Sequence, residues 1–389
     1  MTSSQRWLIL VCALLASAAV ACGGSAPLGT TPGADPGPLT DEPFAPADAA
    51  KAEIAMRELN AGNLDQAIGI FTGLRKRYPH HHLIVHELGL AYRIQGKPQK
   101  AVELLRPYEK YLDDQMAAAL GSALDEAGDP AGAIETLKRA LERFPDSGLL
   151  YSEIGTVISL AGQHELALEY WEKGIEAEPA WPSNYLRAAE IYSHSNARGL
   201  ALIYGEVFRN LEPGSKRSNE LAVLMVQTMR DAVEMEQRSG DQAKGTINLA
   251  PPMTIVISGP MKDGKNPIFA GMPLVNAFEL AYGAFLFTVP GNELSLASLH
   301  EIKTAFLDMW WNPEGMHEYH DVRLFEWLLE IRDAGHLEAY DYWLYGPAFP
   351  HEFDVWRDSR QAELAALLHW LDDHPLYEPA YDNMYPAGG

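Results

Sequence analysis

Residues 114–147 read DQMAAALGSALDEAGDPAGAIETLKRALERFPDS, and residues 148–181 read GLLYSEIGTVISLAGQHELALEYWEKGIEAEPAW. Set one beneath the other, they align Gly121 with Gly155, Gly128 with Gly162, Ala133 with Ala167 and Pro145 with Pro179. Working outward, alanine recurs at Ala67, Ala101, Ala133, Ala167 and Ala201, at spacings of 34, 32, 34 and 34. Proline keeps step at Pro79, Pro145, Pro179 and Pro213, with Asp113 in that region of the one short unit. Gly62, Gly96, Gly128 and Gly162 stand five residues before their alanines, Asn196 takes the place in the fifth unit, and Gly89 joins Gly121 and Gly155 at a further phase. Markers of several residue types in one register are the signature of a stacked repeat.

Each unit reads as a helical hairpin. The small residue lets two helices approach closely, glycine separates the first helix from the second, and proline ends the second because its ring forbids the preceding helical hydrogen bond. Leu88, Leu120 and Ile154 are expected to fill first helices, and Phe71, Leu105, Leu137 and Trp171 second helices. The pattern resembles the tetratricopeptide repeat (TPR) family over residues 48–215, in units at about 48–81, 82–113, 114–147, 148–181 and 182–215. The outermost units fit least well, as expected of solenoid ends. Apolar Leu221, Leu224, Met225 and Met229 read as a capping helix from Asn219 to about Glu236. The resemblance implies an α-solenoid with a concave face lined by first helices. It would carry a partner-binding groove at His86, Leu90, Arg93, Ser122, Asp125, Ser152, Thr156, Ser159, Glu190 and His194. These residues lack the Lys and Asn set of family members that grip chaperone C-termini.

The N-terminus reads as an address. Arg6 is followed by a nearly unbroken apolar stretch from Trp7 to Val20, the layout of a secretory signal over residues 1–21 and too short for a stable membrane span. Ala19-Val20-Ala21-Cys22 resembles a bacterial lipobox, which implies an acylated Cys22 as the first mature residue. Gly23, where an Asp would favour the inner membrane, implies the outer membrane. Residues 22–47 carry six prolines between Pro27 and Pro46 and read as an extended Pro/Gly-rich tether. Removing the signal leaves Cys22 as the sole cysteine, in keeping with an oxidising periplasm.

The whole chain of 389 residues has a formal charge of −23, which argues against nucleic acid, since phosphate backbones are held by clustered Lys and Arg. Its two cysteines exclude a disulfide scaffold. After residue 238 the period stops, and residues 239–389 form a second region, acidic and rich in aromatic residues and histidine. Met253–Ser258 and Pro267–Ala270 suggest a small β-hairpin. Gly259–Asn266 nearly matches a phosphate-binding loop, but Asn266 replaces the magnesium-binding hydroxyl and Pro267 blocks the following helix. Helices are predicted over 272–289, from a capping box at Ser298–Glu301, and over 317–334, 337–345 and 351–373. The fold class is therefore mainly α: a TPR α-solenoid of about five hairpins with a capping helix, then a mostly helical C-terminal domain with a small β-hairpin.

Candidate chemistry is sparse. On a helix, His317 would share a face with His320 and Asp321, offering two imidazoles and a carboxylate to a divalent metal, with His300 and Glu301 nearby on the preceding helix. The spacing is not that of zinc peptidases. His80-His81-His82 is expected to be a solvated turn. Tyr340, Tyr342, Trp343 and Tyr345 suit either a core or a glycan surface. No Gly-x-Ser-x-Gly elbow is present. These features favour a non-enzymatic envelope scaffold or adaptor, without a cofactor, that binds protein partners through its repeats and the membrane through Cys22. The alternative is a metal-dependent enzyme, or a metal- or glycan-binding protein, with its site in the C-terminal domain.

Overall fold

The computed structural model describes residues 35–239, 294–312, 315–318 and 322–376, together with 274, 277, 278 and 281–283. These residues are helical, without strands; the only β-type pairing among them is a parallel bridge between Thr40 and His81. The β-hairpin expected at 253–270 and the loop 259–266 lie outside them, as do the signal, the lipobox and Cys22. The chain divides into two compact units between Glu178 and Pro179.

The first unit contains four hairpins. Helices α1 (Pro46–Asn60) and α2 (Leu64–Arg75) form the first, and α3 (His82–Ile94) and α4 (Pro98–Leu105) the second. The third is α5 (Asp114–Glu126) with α6 (Pro130–Leu141), and the fourth α7 (Gly148–Leu160) with α8 (His164–Ala177). Gly62, Gly96, Gly128 and Gly162 turn each hairpin at φ between 72° and 88°, where a side chain would clash with the backbone. Ala67, Ala101, Ala133 and Ala167 are fully buried at the helix crossings.

The second glycine phase, at Gly89, Gly121 and Gly155, receives the large side chains of the second helices. A Cβ built on Gly89 would lie 3.3 Å from Leu105, one on Gly121 2.6 Å from Leu137, and one on Gly155 2.3 Å from Trp171. Trp171 is held there by its indole N–H, which donates to the Ser152 carbonyl at 3.2 Å. In the short unit Pro107 tightens the second helix into a 3₁₀ turn over Arg106–Tyr111. Asp113, in the place of proline, is instead the N-cap of α5, accepting from the Met116 amide at 2.7 Å.

The second unit opens with the fifth hairpin, α9 (Pro182–Ser193) and α10 (Arg198–Leu211), followed by α11 (Lys216–Ser239). Leu221, Met225 and Met229 of α11 are buried as expected. Then come α12 (Leu296–Trp310), α13 (Arg323–Asp333), α14 (Leu337–Tyr345), α15 (Pro350–Ser359) and α16 (Gln361–Asp373). Leu274, Ala277, Phe278, Ala281 and Tyr282 are helical and buried, as the apolar stretch 272–289 predicts. Phe278, Phe306, Trp310 and Phe325 form an aromatic cluster in which Phe306 and Trp310 meet Phe325 edge-on, each within 5.1 Å, and Phe278 stacks on it.

Three boundaries differ from the sequence reading. The cap of α12 is Ser295, whose hydroxyl accepts from the Ser298 amide while Ser298 Oγ accepts from the Ser295 amide. The helix expected from His317 begins at Arg323, and Met316–Glu318 is a 3₁₀ turn. The span 351–373 is two helices, broken at Arg360, whose φ of −132° leaves the helical region.

Candidate functional site

The repeat face of the first unit is built from α3, α5 and α7, which lie side by side with polar rungs between them. Arg93 of α3 donates to both carboxylate oxygens of Glu126 on α5, the shortest contact being 2.7 Å. Ser122 of α5 donates to Glu153 of α7 at 2.6 Å. Both rungs join residues about one repeat apart, so their geometry follows from the period itself.

This face is acidic. Arg93 is engaged by Glu126 and His86 pairs with Glu87 at 3.3 Å, leaving Asp125 and Glu153 without a cation among their ion pairs and hydrogen bonds. Burial, with Glu126 and Glu153 close by, raises the Asp125 carboxyl above the usual carboxylate range. Burial works against a charge on His86, but the hydrogen bond and charge of Glu87, with Asp113, carry its imidazole above the usual histidine value.

The predicted groove residues are not equivalent. His86, Leu90, Arg93, Ser122, Asp125, Thr156 and Ser159 are partly open on this face. Ser152 is only 5% exposed, and its carbonyl is occupied by Trp171 and Thr156, so it belongs to the packing. Ser159 pairs with His164, the first residue of α8, at 3.2 Å. Glu190, held by Arg187 at 2.9 Å, and the exposed His194 belong to the second unit.

The histidine triplet departs from the solvated turn expected of it. His81 is 6% exposed, donates through Nε2 to the Glu42 carbonyl at 3.0 Å and stacks on Phe44 at 4.1 Å between ring centres. His80 pairs with the Tyr108 hydroxyl at 3.0 Å and His82 with Asp113 at 2.8 Å. All three are committed to holding elements together.

In the second unit a buried charged cluster joins three helices. Lys303 of α12 reaches Glu206 of α10 at 2.6 Å and Asp341 of α14 at 3.2 Å; the three are at most 6% exposed. Burial opposes the charge on Lys303, yet the two carboxylates hold it above the usual lysine range. Tyr340 and Tyr345 present their ring faces to the ammonium at 5.0 and 5.3 Å. Alongside, Arg209 donates to the Ser218 carbonyl at 2.6 Å and to the Trp343 carbonyl at 3.0 Å, and burial pulls its guanidinium down to about 10. Tyr340, Asp341 and Tyr345 are thus core, while Tyr342 and Trp343 are half-buried.

His300 closes the cluster on its open side, donating from Nδ1 to Asp341 at 2.8 Å. That hydrogen bond outweighs burial and raises the imidazole above the usual histidine value. A raised histidine stabilises the fold fully below its unfolded value, and the contribution is lost as pH rises through the folded one. The difference in melting temperature between the wild-type chain and His300→Gln is therefore expected to shrink as pH is raised from about 6 to 8. A difference that grows with pH would contradict the assignment.

The metal-site candidates are not assembled among the described residues. His317 occupies the 3₁₀ turn rather than a helix, with Nδ1 bonded to the Trp310 carbonyl at 2.9 Å and its ring against Trp311. His320 and Asp321 lie outside the described residues. His300 is taken by Asp341, and no group of three or more metal-ligating side chains occurs among the described residues. None of the described helices is long and apolar enough to cross a membrane.

Comparison with known proteins agrees with the helical repeat. The tetratricopeptide repeat family model matches residues 53–113 and 118–192. Among solved structures, MamA is 25% identical, with 43% of this chain and 94% of MamA covered at a TM-score of 0.33. A thermophilic TPR protein of Thermus thermophilus is 18% identical, with 47% and 98% covered at a TM-score of 0.39. PilW, described as a type IV pilus biogenesis factor, is 17% identical, with 52% and 97% covered at a TM-score of 0.40. No curated protein matches the sequence.

Proposed function

We propose that this tetratricopeptide repeat protein is an envelope lipoprotein, acylated at Cys22, that assembles protein partners at the outer membrane. Its repeats make it a protein-interaction scaffold or adaptor, since stacked hairpins present an extended surface for another chain. The carrying observation is the acidic face of α3, α5 and α7, where Asp125 and Glu153 have no cation of their own. Burial and the nearby Glu126 and Glu153 raise Asp125, and a segment bearing Lys or Arg would offset that repulsion. Lipid anchoring and a periplasm-facing position are supported by the apolar leader, Ala19-Val20-Ala21-Cys22 and Gly23.

The test is photo-crosslinking from the lipidated protein in its own envelope. A cross-linker at Leu90 or Ser159 should yield discrete protein adducts that weaken in Asp125→Lys and at raised salt. The same probe on the opposite helices, at Lys100 or Glu135, should not. Equal yields from both faces, or none from either, would overturn this reading of the face. Mass analysis of the N-terminal peptide tests the acyl group separately.

A further inference from the structure

The segment that composition marks as a free tether is, over its second half, fastened to the repeats. Thr40 donates its amide to the His80 carbonyl and accepts from the His82 amide, both at 2.9 Å, so residue 40 bridges the turn between the first two hairpins. Phe44 lies flat on His81 and edge-on to Tyr78, whose hydroxyl meets the Ala45 amide at 3.0 Å. Asp48, 1% exposed, is clasped by Arg77 and Tyr78. At the far end Asp35 accepts from Lys110 at 2.5 Å and from Tyr111 at 3.0 Å. The strap thus crosses one edge of two successive hairpins, with polar contacts at both ends and a ring stack between.

Resting on the lipoprotein reading above, we infer that residues 35–45 are a built-in strap that halves the tether and holds the edge formed by α2, the Tyr78–His81 turn and Arg106–Tyr111 towards the bilayer. From Cys22 the chain has 13 peptide steps to Asp35 and 25 to Ala47. At about 3.5 Å per step the anchored chain reaches about 45 Å at most with the strap closed, and roughly 90 Å with it open. For a flexible chain the average span grows by about 1.4-fold on release. The strap is held by the backbone of His80 and His82 and by the side chain of His81.

The experiment uses the full lipidated protein in phosphatidylethanolamine and phosphatidylglycerol vesicles that carry an acceptor-labelled lipid. A donor is placed on Lys76→Cys, an exposed position beside the strap. In Asp35→Ala/Thr40→Pro/Phe44→Ala, which removes the Asp35 contacts, the Thr40 donor and the ring stack, energy transfer to the vesicle should fall about threefold while helix content stays unchanged. Inserting twelve Gly and Ser residues between residues 24 and 25, with the strap intact, should produce a similar fall and shows that the ruler reads tether length. A fall with the insertion but none with the strap variant overturns the strap. No fall in either means that the body is held by something other than its tether and overturns it too. An N-terminal peptide without acyl mass, on a chain that leaves the vesicles, overturns the lipoprotein reading and the strap's role with it.

Discussion

Replacing Lys303 with methionine is expected to destabilise the second unit by about 3–5 kcal/mol, the range seen when one member of a buried ion pair is removed. Methionine fills the volume and keeps the apolar contacts with Tyr340 and Tyr345, so the loss isolates the ammonium. Without it, Glu206 and Asp341 remain buried with a single partly exposed histidine between them and solvent. Calorimetry on the whole chain should show the corresponding transition lowered by about 10 °C or more. Adding Glu206→Gln and Asp341→Asn should restore much of the loss, because neutral amides tolerate the burial that carboxylates do not. A melting temperature unchanged in Lys303→Met would mean that the cluster is not closed as described.

The second expected effect concerns a missing methyl group. Gly155→Ala places a Cβ 2.3 Å from the Trp171 ring, which is 1% exposed and tied to the Ser152 carbonyl. The ring cannot withdraw without breaking that bond and opening the crossing of α7 and α8. A loss of about 1–3 kcal/mol is expected, as for other overpacked cores, against about 3–5 kcal/mol for Trp171→Ala. Gly73→Ala in α2 is the control, since its Cβ would meet nothing within 4 Å on an exposed helical surface. There the same substitution should stabilise by about 0.5–1 kcal/mol. Chemical denaturation curves that show both changes with the same sign would refute the packing account.

The contrast between the two glycines explains how far the sequence could be read. Gly155, Gly121 and Gly89 announce themselves by period, because every repeat must solve the same crossing with the same residue type. Asp113 was legible as an irregularity, but not as the N-cap it turns out to be. The buried cluster had no such signal. Glu206, Lys303 and Asp341 are widely separated in the chain, and nothing local marks them as partners rather than surface charges. The histidine triplet misled for a related reason: a polar run beside a proline resembles a solvated turn, and the groups that bury it, Glu42 and Phe44, come from a stretch whose composition reads as unstructured. Of the repeat face, the positions were legible, but the pairing of Arg93 with Glu126 and the burial of Ser152 depend on side-chain directions that spacing does not specify.

The cluster around Lys303 also governs the order in which the chain can complete itself. In the first unit the crossings join residues of one hairpin and the rungs residues roughly one repeat apart, so each hairpin can settle as soon as its neighbour exists. The fifth hairpin cannot: Arg209 waits for the carbonyl of Trp343, 134 residues on, and Asn210 for the hydroxyl of Tyr340, 130 residues on. Closing loops of that length is slow, and until it happens the acidic, basic and aromatic side chains of α10 lack the partners that justify their burial. A chain emerging N-terminus first would therefore fold early to about Glu178 and hold the fifth hairpin unfinished until α14 arrives. Truncation between Leu211 and Tyr345 should leave the first four hairpins intact and the fifth exposed to proteolysis.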